Sequence, residues 1–159
     1  MKDEAVIREA RESDLEGILL LYKELVPDDP EPDMGSIAGE WKKIFSTGES
    51  LRYFVAEKSG EIVSTCNIAI VPNLTRSVRP FAIIENVVTR SDYRKQGLGR
   101  LVMNMALDFA RSRNCYKVML LSGSRRKEAH EFYRSLGFSD TKKIGFVMEF
   151  LIERGSPIP

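Results

Sequence analysis

The chain has 159 residues, 43% of them hydrophobic and 30% charged, with 24 basic against 23 acidic side chains. That length fits a single domain that can bury a sizeable core without staples, and a net charge of +1 gives no overall pull towards nucleic acid or a membrane surface. No apolar run approaches the ~20 residues that span a bilayer, and the opening MKDEAVIREA lacks the apolar stretch of a signal peptide.

In chain order, residues 4–9 read as a short strand. Ser13-Asp14-Leu15-Glu16 reads as a capping box, with the serine accepting from the Glu16 amide. Leu15, Ile18, Leu19, Tyr22 and Leu25 recur at helical spacing, and Pro27, Pro30 and Pro32 end that helix in a loop. A second helix follows, with Met34, Ile37, Trp41 and Ile44/Phe45 on one face. Residues 51–57 and 61–71 read as strands joined by a tight turn at Ser59-Gly60. After a loop at 73–80 come a strand at 81–89, a helix from about Gly97 to Arg113, a strand at 116–122 and a helix at about 126–137 ended by Gly137. Residues 138–152 are expected to supply one or two last strands. The early hairpin implies antiparallel pairing and the later β-α-β-α stretch parallel pairing. The expected fold is therefore α/β, a mixed central sheet with helices on both faces.

Cys66 and Cys115 each stand alone in an apolar stretch, without a second ligand at metal spacing. They read as core thiols in a reducing cytoplasm. The single histidine, His130, reads as a helix-surface residue, and no metal site is expected.

Charge is locally uneven. Arg90, Arg94, Lys95 and Arg100 stand against Asp92 alone, and Arg125, Arg126 and Lys127 form a second cluster. Two basic patches on a near-neutral chain suggest a small anionic ligand. Within the first patch, Arg94-Lys95-Gln96-Gly97-Leu98-Gly99-Arg100 lies between an apolar strand and an apolar helix. A helix N-terminus has amides without intrahelical partners and the positive end of the dipole. Glycines beside it let a ligand approach, so this segment suits a pyrophosphate. Gly97 and Gly99 also fit a tight loop with no ligand. A P-loop sequence is absent, and the third glycine of a dinucleotide fingerprint is replaced by Val102.

Residues 85–107, ENVVTRSDYRKQGLGRLVMNMAL, resemble the acetyl-CoA-binding motif of the GNAT superfamily of N-acyltransferases. Residues 127–138, KEAHEFYRSLGF, resemble that superfamily's next helix and strand. The resemblance implies acetyl-CoA as cosubstrate and central parallel strands that splay apart. The backbone of Val87, Val88 and Thr89 would pair with the pantetheine arm, and the Val88 amide would polarise the thioester carbonyl. The amides from Arg94 to Gly99, with Arg100 adding charge, would hold the pyrophosphate. Tyr133 would protonate the departing thiolate, and Arg126, where many members carry asparagine, would contact a phosphate.

Tyr133 also fits a buried helix face with Ala129, Phe132 and Leu136. Glu85 is a carboxylate in an otherwise apolar strand, which needs a partner or a role. It reads either as the base that deprotonates an incoming ammonium or as an ion-paired or solvent-facing residue. The stretches IENVVT and NCYKVMLL are similar to glucosamine-phosphate N-acetyltransferases, one branch of the superfamily. The expected acceptor is thus a small-molecule amine such as an amino sugar, aminoglycoside, polyamine or amino acid. Arg76 and Arg79 read as contacts to an acidic substrate or as a solvated loop face. A protein amine and a catalytically silent acyl-CoA-binding module remain open. Neither a nucleic acid nor a membrane is expected as partner. A homodimer is common among proteins of this resemblance.

Overall fold

A computed structural model of the chain describes residues 4–48 and 50–150. They fall into two compact units that divide between Leu120 and Leu121.

The first unit is built on a five-stranded sheet in the order β1 (Val6–Glu9), β2 (Leu51–Lys58), β3 (Glu61–Val71), β4 (Phe81–Thr89) and β5 (Val118–Met119). The first four strands pair antiparallel, and β4 pairs parallel with β5. This is the mixed sheet expected from the order of elements. At the β2–β3 turn Ser59 and Gly60 take φ of 52° and 77°, as a two-residue hairpin loop requires.

Successive strand residues face opposite sides, which sorts the helices. Tyr53 meets Trp41 of α2 (Met34–Ser46) at 5.1 Å between ring centroids. Phe54, next along β2, meets Phe109 of α4 (Leu98–Ser112) at 5.8 Å. Helices therefore cover both faces. On α4, Leu98, Val102, Met103, Ala106 and Ala110 are buried, a stripe at helical spacing. On α1 (Leu15–Leu25), Ile18 and Leu21 are buried. Val55, Val63, Cys66, Ile68 and Ala82 complete the core with almost no exposure. The Cys66 thiol is pushed up to about 12 by burial, as expected of an inert core residue. Cys115 is half-buried, and both thiols are free.

Three expectations need correction. The box at the start of α1 is not set by Ser13, which is exposed in a 3-10 turn, Glu12–Asp14. Asp14 is the reaching carboxylate, accepting from the Arg11 amide at 2.6 Å. Arg8 grips the same carboxylate with two bonds of 2.6 and 2.9 Å, and this buried pairing outcompetes an exposed serine. On α2 Trp41 is buried, Ile37 and Ile44 are half-buried and Phe45 meets the Trp41 ring, while Met34 is exposed. The loop at 73–80 contains one turn, α3 (Thr75–Val78), in which Arg76 and Ser77 are left-handed. β5 is two residues long rather than seven, because only Val118 and Met119 find ladder partners on β4.

The second unit holds α5 (Lys127–Ser135), followed by Gly137 with φ of 96°, as expected of a glycine past a helix end. Residues 138–150 form no strand. This corrects the expectation of closing strands, whose apolar pattern finds no ladder partner among the described residues. The remainder of that predicted stretch, 151–152, lies outside them.

Candidate active site

The β4–β5 ladder consists of Ala82 opposite Val118 and Ile83 opposite Met119. From Ile84 onward no strand among the described residues pairs with that edge of β4, which is therefore called open. On the other side β4 carries a bulge. Asn67 faces Glu85 and Thr65 faces Val88, so Cys66 stands opposite both Asn86 and Val87. Asn86 absorbs the extra residue with φ of 54°. Asparagine tolerates this conformation better than most residues, and a bulge bends its strand.

The bulge also resets which backbone groups face the opening. The Arg90 amide donates to Val63 O at 2.9 Å. Ser64 lies opposite Thr89 and Thr65 opposite Val88. In an antiparallel ladder this makes Thr65–Val88 the hydrogen-bonded pair, so Val88 presents its N–H and C=O to β3. The Ser64 hydroxyl donates to the same Val88 carbonyl at 3.2 Å. The neighbouring residues alternate: Val87 and Thr89 turn their backbone groups away from β3, into the opening. Arg94 Nε donates to the Thr89 carbonyl at 3.1 Å, which confirms that direction. In this register the Val88 amide, expected to polarise the thioester carbonyl, faces β3, and that of Val87 faces the opening.

Thr89 leads through a 3-10 turn, Ser91–Tyr93, into the glycine loop. Gly97 caps α4 with φ of 82° and ψ of −3°, a left-handed conformation that costs glycine nothing and other residues about 1 kcal/mol or more. The first intrahelical bond runs from Leu101 N to Gly97 O at 3.1 Å. The amides of Leu98, Gly99 and Arg100 thus precede the ladder of the helix, at its positive end. Lys95 is also left-handed, at φ 61°. Gln96 accepts from Lys58 Nζ and donates to Asp92 O, each at 3.3 Å. Arg90 pairs with Glu61 at 3.1 Å and Asp92 at 2.8 Å. The Asp92 hydrogen bond leads the effects that raise the Arg90 pKa.

The fold thus brings the open edge at Val87 and Thr89, the loop 94–97 and the α4 N-terminus into one continuous stretch. Glu85 is exposed on β4 opposite buried Asn67, which in turn faces Tyr53. That row lies on the sheet face covered by α1 and α2. Glu85 is thus open to solvent rather than held by a buried partner. In the second unit, Tyr133 is buried on α5 between Phe132 and Phe138, with ring centroids at 5.4 and 6.2 Å. Arg126 is exposed at the start of α5. His130 is half-buried rather than on the surface, its Nε2 lying 2.8 Å from Gly123 O. Among the described residues no group of three or more His, Cys, Asp or Glu is arranged to hold a metal. No described helix is long and apolar enough to cross a membrane.

Two residues escaped the sequence reading. Glu24, at the end of α1, accepts from the Ser91 amide at 2.9 Å and lies 3.7 Å from Arg94. Nothing in the spacing of α1 marks it, because its partners lie some seventy residues away. Tyr22 is half-buried with its hydroxyl oxygen enclosed and Tyr53, Cys66 and Asn86 among its neighbours, and its phenol pKa is driven up, chiefly by burial. Its hydroxyl has no hydrogen-bond partner among the described residues. The αL-tolerant Asn86 was the one legible signal of the bulge.

Residues 18–138 match the model of the Acetyltransferase (GNAT) family. The chain is 32% identical over 134 residues to a glucosamine 6-phosphate N-acetyltransferase of Trypanosoma brucei brucei, covering 83% of this chain and 87% of that protein. A solved structure from Agrobacterium tumefaciens str. C58 superposes with a TM-score of 0.86 at 42% identity, over 91% of this chain and 99% of that one. The glucosamine-6-phosphate N-acetyltransferase of Arabidopsis thaliana superposes with a TM-score of 0.83 at 27% identity, over 93% and 99%. The chain belongs to the GNAT family of acetyltransferases, whose reaction class is transfer of an acetyl group from acetyl-CoA to an amine.

Proposed function

We propose that the chain acetylates the primary amine of a small molecule, with an amino-sugar phosphate as the leading acceptor class, by direct attack on acetyl-CoA in a ternary complex. The carrying observation is the open edge of β4 running straight into the N-terminus of α4. The pantetheine arm pairs with the backbone of Val87 and Thr89 as an added strand would. The Val87 amide replaces that of Val88 as the donor to the thioester carbonyl, and its hydrogen bond strengthens as charge develops on that oxygen. The amides of the Arg94–Gly99 segment and of Arg100 receive the pyrophosphate. Arg126 contributes to phosphate binding.

Binding both substrates side by side supplies much of the acceleration, and no acyl-enzyme is required. Tyr133 donates its proton to the departing thiolate. Glu85, being solvent-facing, takes the ammonium proton through water. One catalytic domain carries the activity, in keeping with a family match that runs across both compact units. The similarity to two glucosamine 6-phosphate N-acetyltransferases supports the acceptor class.

Calorimetric titration with acetyl-CoA, using ATP and NAD as controls, tests the first half. Selective micromolar binding, near −8 kcal/mol, is expected, and no binding of acetyl-CoA, CoA or longer acyl-CoAs overturns the reading. Thiol release with glucosamine 6-phosphate tests the second half against an aminoglycoside, a polyamine and free amino acids. Faster turnover of any of these replaces the acceptor class.

A further inference from the structure

Glu24 sits in the last turn of α1, where the negative end of the helix dipole disfavours a carboxylate. What compensates it lies on another element of the first unit. Glu24 Oε2 accepts from the Ser91 amide at 2.9 Å and stands 3.7 Å from Arg94 Nη2. Ser91 opens the 3-10 turn Ser91–Tyr93, and an amide at such a start lacks a partner within its own turn. Arg90, just before it, has no acceptor atom in its side chain and makes no capping bond. Glu24 therefore supplies the cap from 67 residues away in sequence.

The turn it caps joins the two halves of the coenzyme route. Thr89 is the last residue of β4, and Arg94, at the far end of the turn, begins the glycine loop. Arg94 reaches back through Nε to the Thr89 carbonyl at 3.1 Å. The opposite flank is tied to the β2–β3 hairpin, by Glu61 on Arg90 at 3.1 Å and by Lys58 on Gln96 at 3.3 Å. Glu24 is the tie from α1. We infer that Glu24 is a positioning residue for the coenzyme. By capping Ser91 it keeps the open edge of β4, which receives the pantetheine arm, in line with the amides that receive the pyrophosphate. This role rests on the proposal that the chain binds acetyl-CoA. The charge of Glu24 works the other way, because a carboxylate beside an anion site repels the anion and draws on Arg94. Its geometric and electrostatic effects thus have opposite signs, and substitution separates them.

Calorimetric titration of acetyl-CoA into wild type, Glu24→Ala and Glu24→Gln tests the inference. Both variants lose the charge, but glutamine keeps an oxygen that accepts from the Ser91 amide. Glu24→Ala should raise Kd about tenfold. Glu24→Gln should bind as tightly as wild type or more tightly. Both should keep a cooperative thermal transition. Hydrogen exchange by NMR in the coenzyme-free protein gives a second readout. The Ser91 amide should exchange about tenfold faster in Glu24→Ala and at the wild-type rate in Glu24→Gln. A change in affinity shared equally by the two variants, tighter or weaker, traces to the charge and overturns the positioning role. Ser91 exchange untouched by Glu24→Ala overturns it as well. Wild-type protein that binds no acetyl-CoA overturns the coenzyme reading and this role with it, whereas wild-type binding left unaltered by Glu24→Ala overturns this inference alone.

Discussion

Asp14→Asn should cost more than any other single polar change in the first unit. Arg8 reaches Asp14 through Nη1 at 2.6 Å and Nη2 at 2.9 Å, and Glu57 through Nε at 3.0 Å and Nη2 at 2.7 Å. The Arg8 and Asp14 side chains are only 14% and 8% exposed. The network ties β1 and β2 to the turn that launches α1, the helix that carries Tyr22 and Glu24. Removing one partner of a fully buried ion pair costs about 3–5 kcal/mol. Here Glu57 remains as counter-charge and asparagine still accepts from Arg8 and the Arg11 amide, which brings the expected loss to about 2 kcal/mol, or roughly 4–8 °C in Tm for a chain of this size. Urea unfolding at pH 7 measures it.

The pH dependence carries a second check. Burial alone would raise the Asp14 pKa, but the hydrogen bonds from Arg8 and from the Arg11 amide, with the Arg8 charge, outweigh it and hold it below the usual carboxylate value. A carboxylate depressed in the folded state stabilises above its unfolded pKa, and that contribution fades as pH falls through the folded one. The gap between wild type and Asp14→Asn should therefore be full at pH 5–7 and close below about pH 4. A loss under about 0.5 kcal/mol, or a gap constant down to pH 3, would refute the argument.

Gly17→Ala sets two effects against each other. Alanine favours a helix by about 1 kcal/mol, but a Cβ at Gly17 would stand 2.8 Å from Ile62 Cγ1 and 2.9 Å from its Cβ. Overpacking of about 1–3 kcal/mol should win, so urea unfolding should show a net loss; a gain would show that Ile62 yields freely. Tyr22→Phe removes a buried hydroxyl without a partner and should be neutral or stabilising by up to about 1 kcal/mol. A loss beyond that in the same assay would mean the hydroxyl is bonded. Tyr133→Phe should lower turnover by about 10²-fold or more while calorimetric acetyl-CoA affinity holds. An unchanged rate across the pH range would remove Tyr133 from acid catalysis.

Much of this architecture is legible in the sequence because the signals are local. Alternation marks β2, β3 and β4, the 98–110 stripe marks α4, and Gly97 marks the loop. What escapes depends on partners far along the chain. Counting by twos from Ala82, whose amide donates to Lys117 O, puts residue 88 on the open edge. The extra residue at Asn86 shifts that count, and only the β3 register reveals it. Ser13-x-x-Glu16 fits the usual pattern of a capping box, whereas the Arg11 amide and Arg8, itself held by Glu57, decide in favour of Asp14. Glu85 looked costly as a buried charge, but its exposure depends on the sheet it joins. The alternation at 144–150 is plain in the sequence; that it joins no ladder among the described residues is not.

Residue-resolved hydrogen exchange across β4, with and without saturating acetyl-CoA, tests most directly where the coenzyme lies. In the free protein Val88 should exchange slowly and Val87 and Thr89 quickly. With acetyl-CoA, Val87 and Thr89 should slow by at least about tenfold, with little change at Val88. Unaltered exchange at Val87 and Thr89 under saturation would contradict pairing of the coenzyme with the open edge of β4.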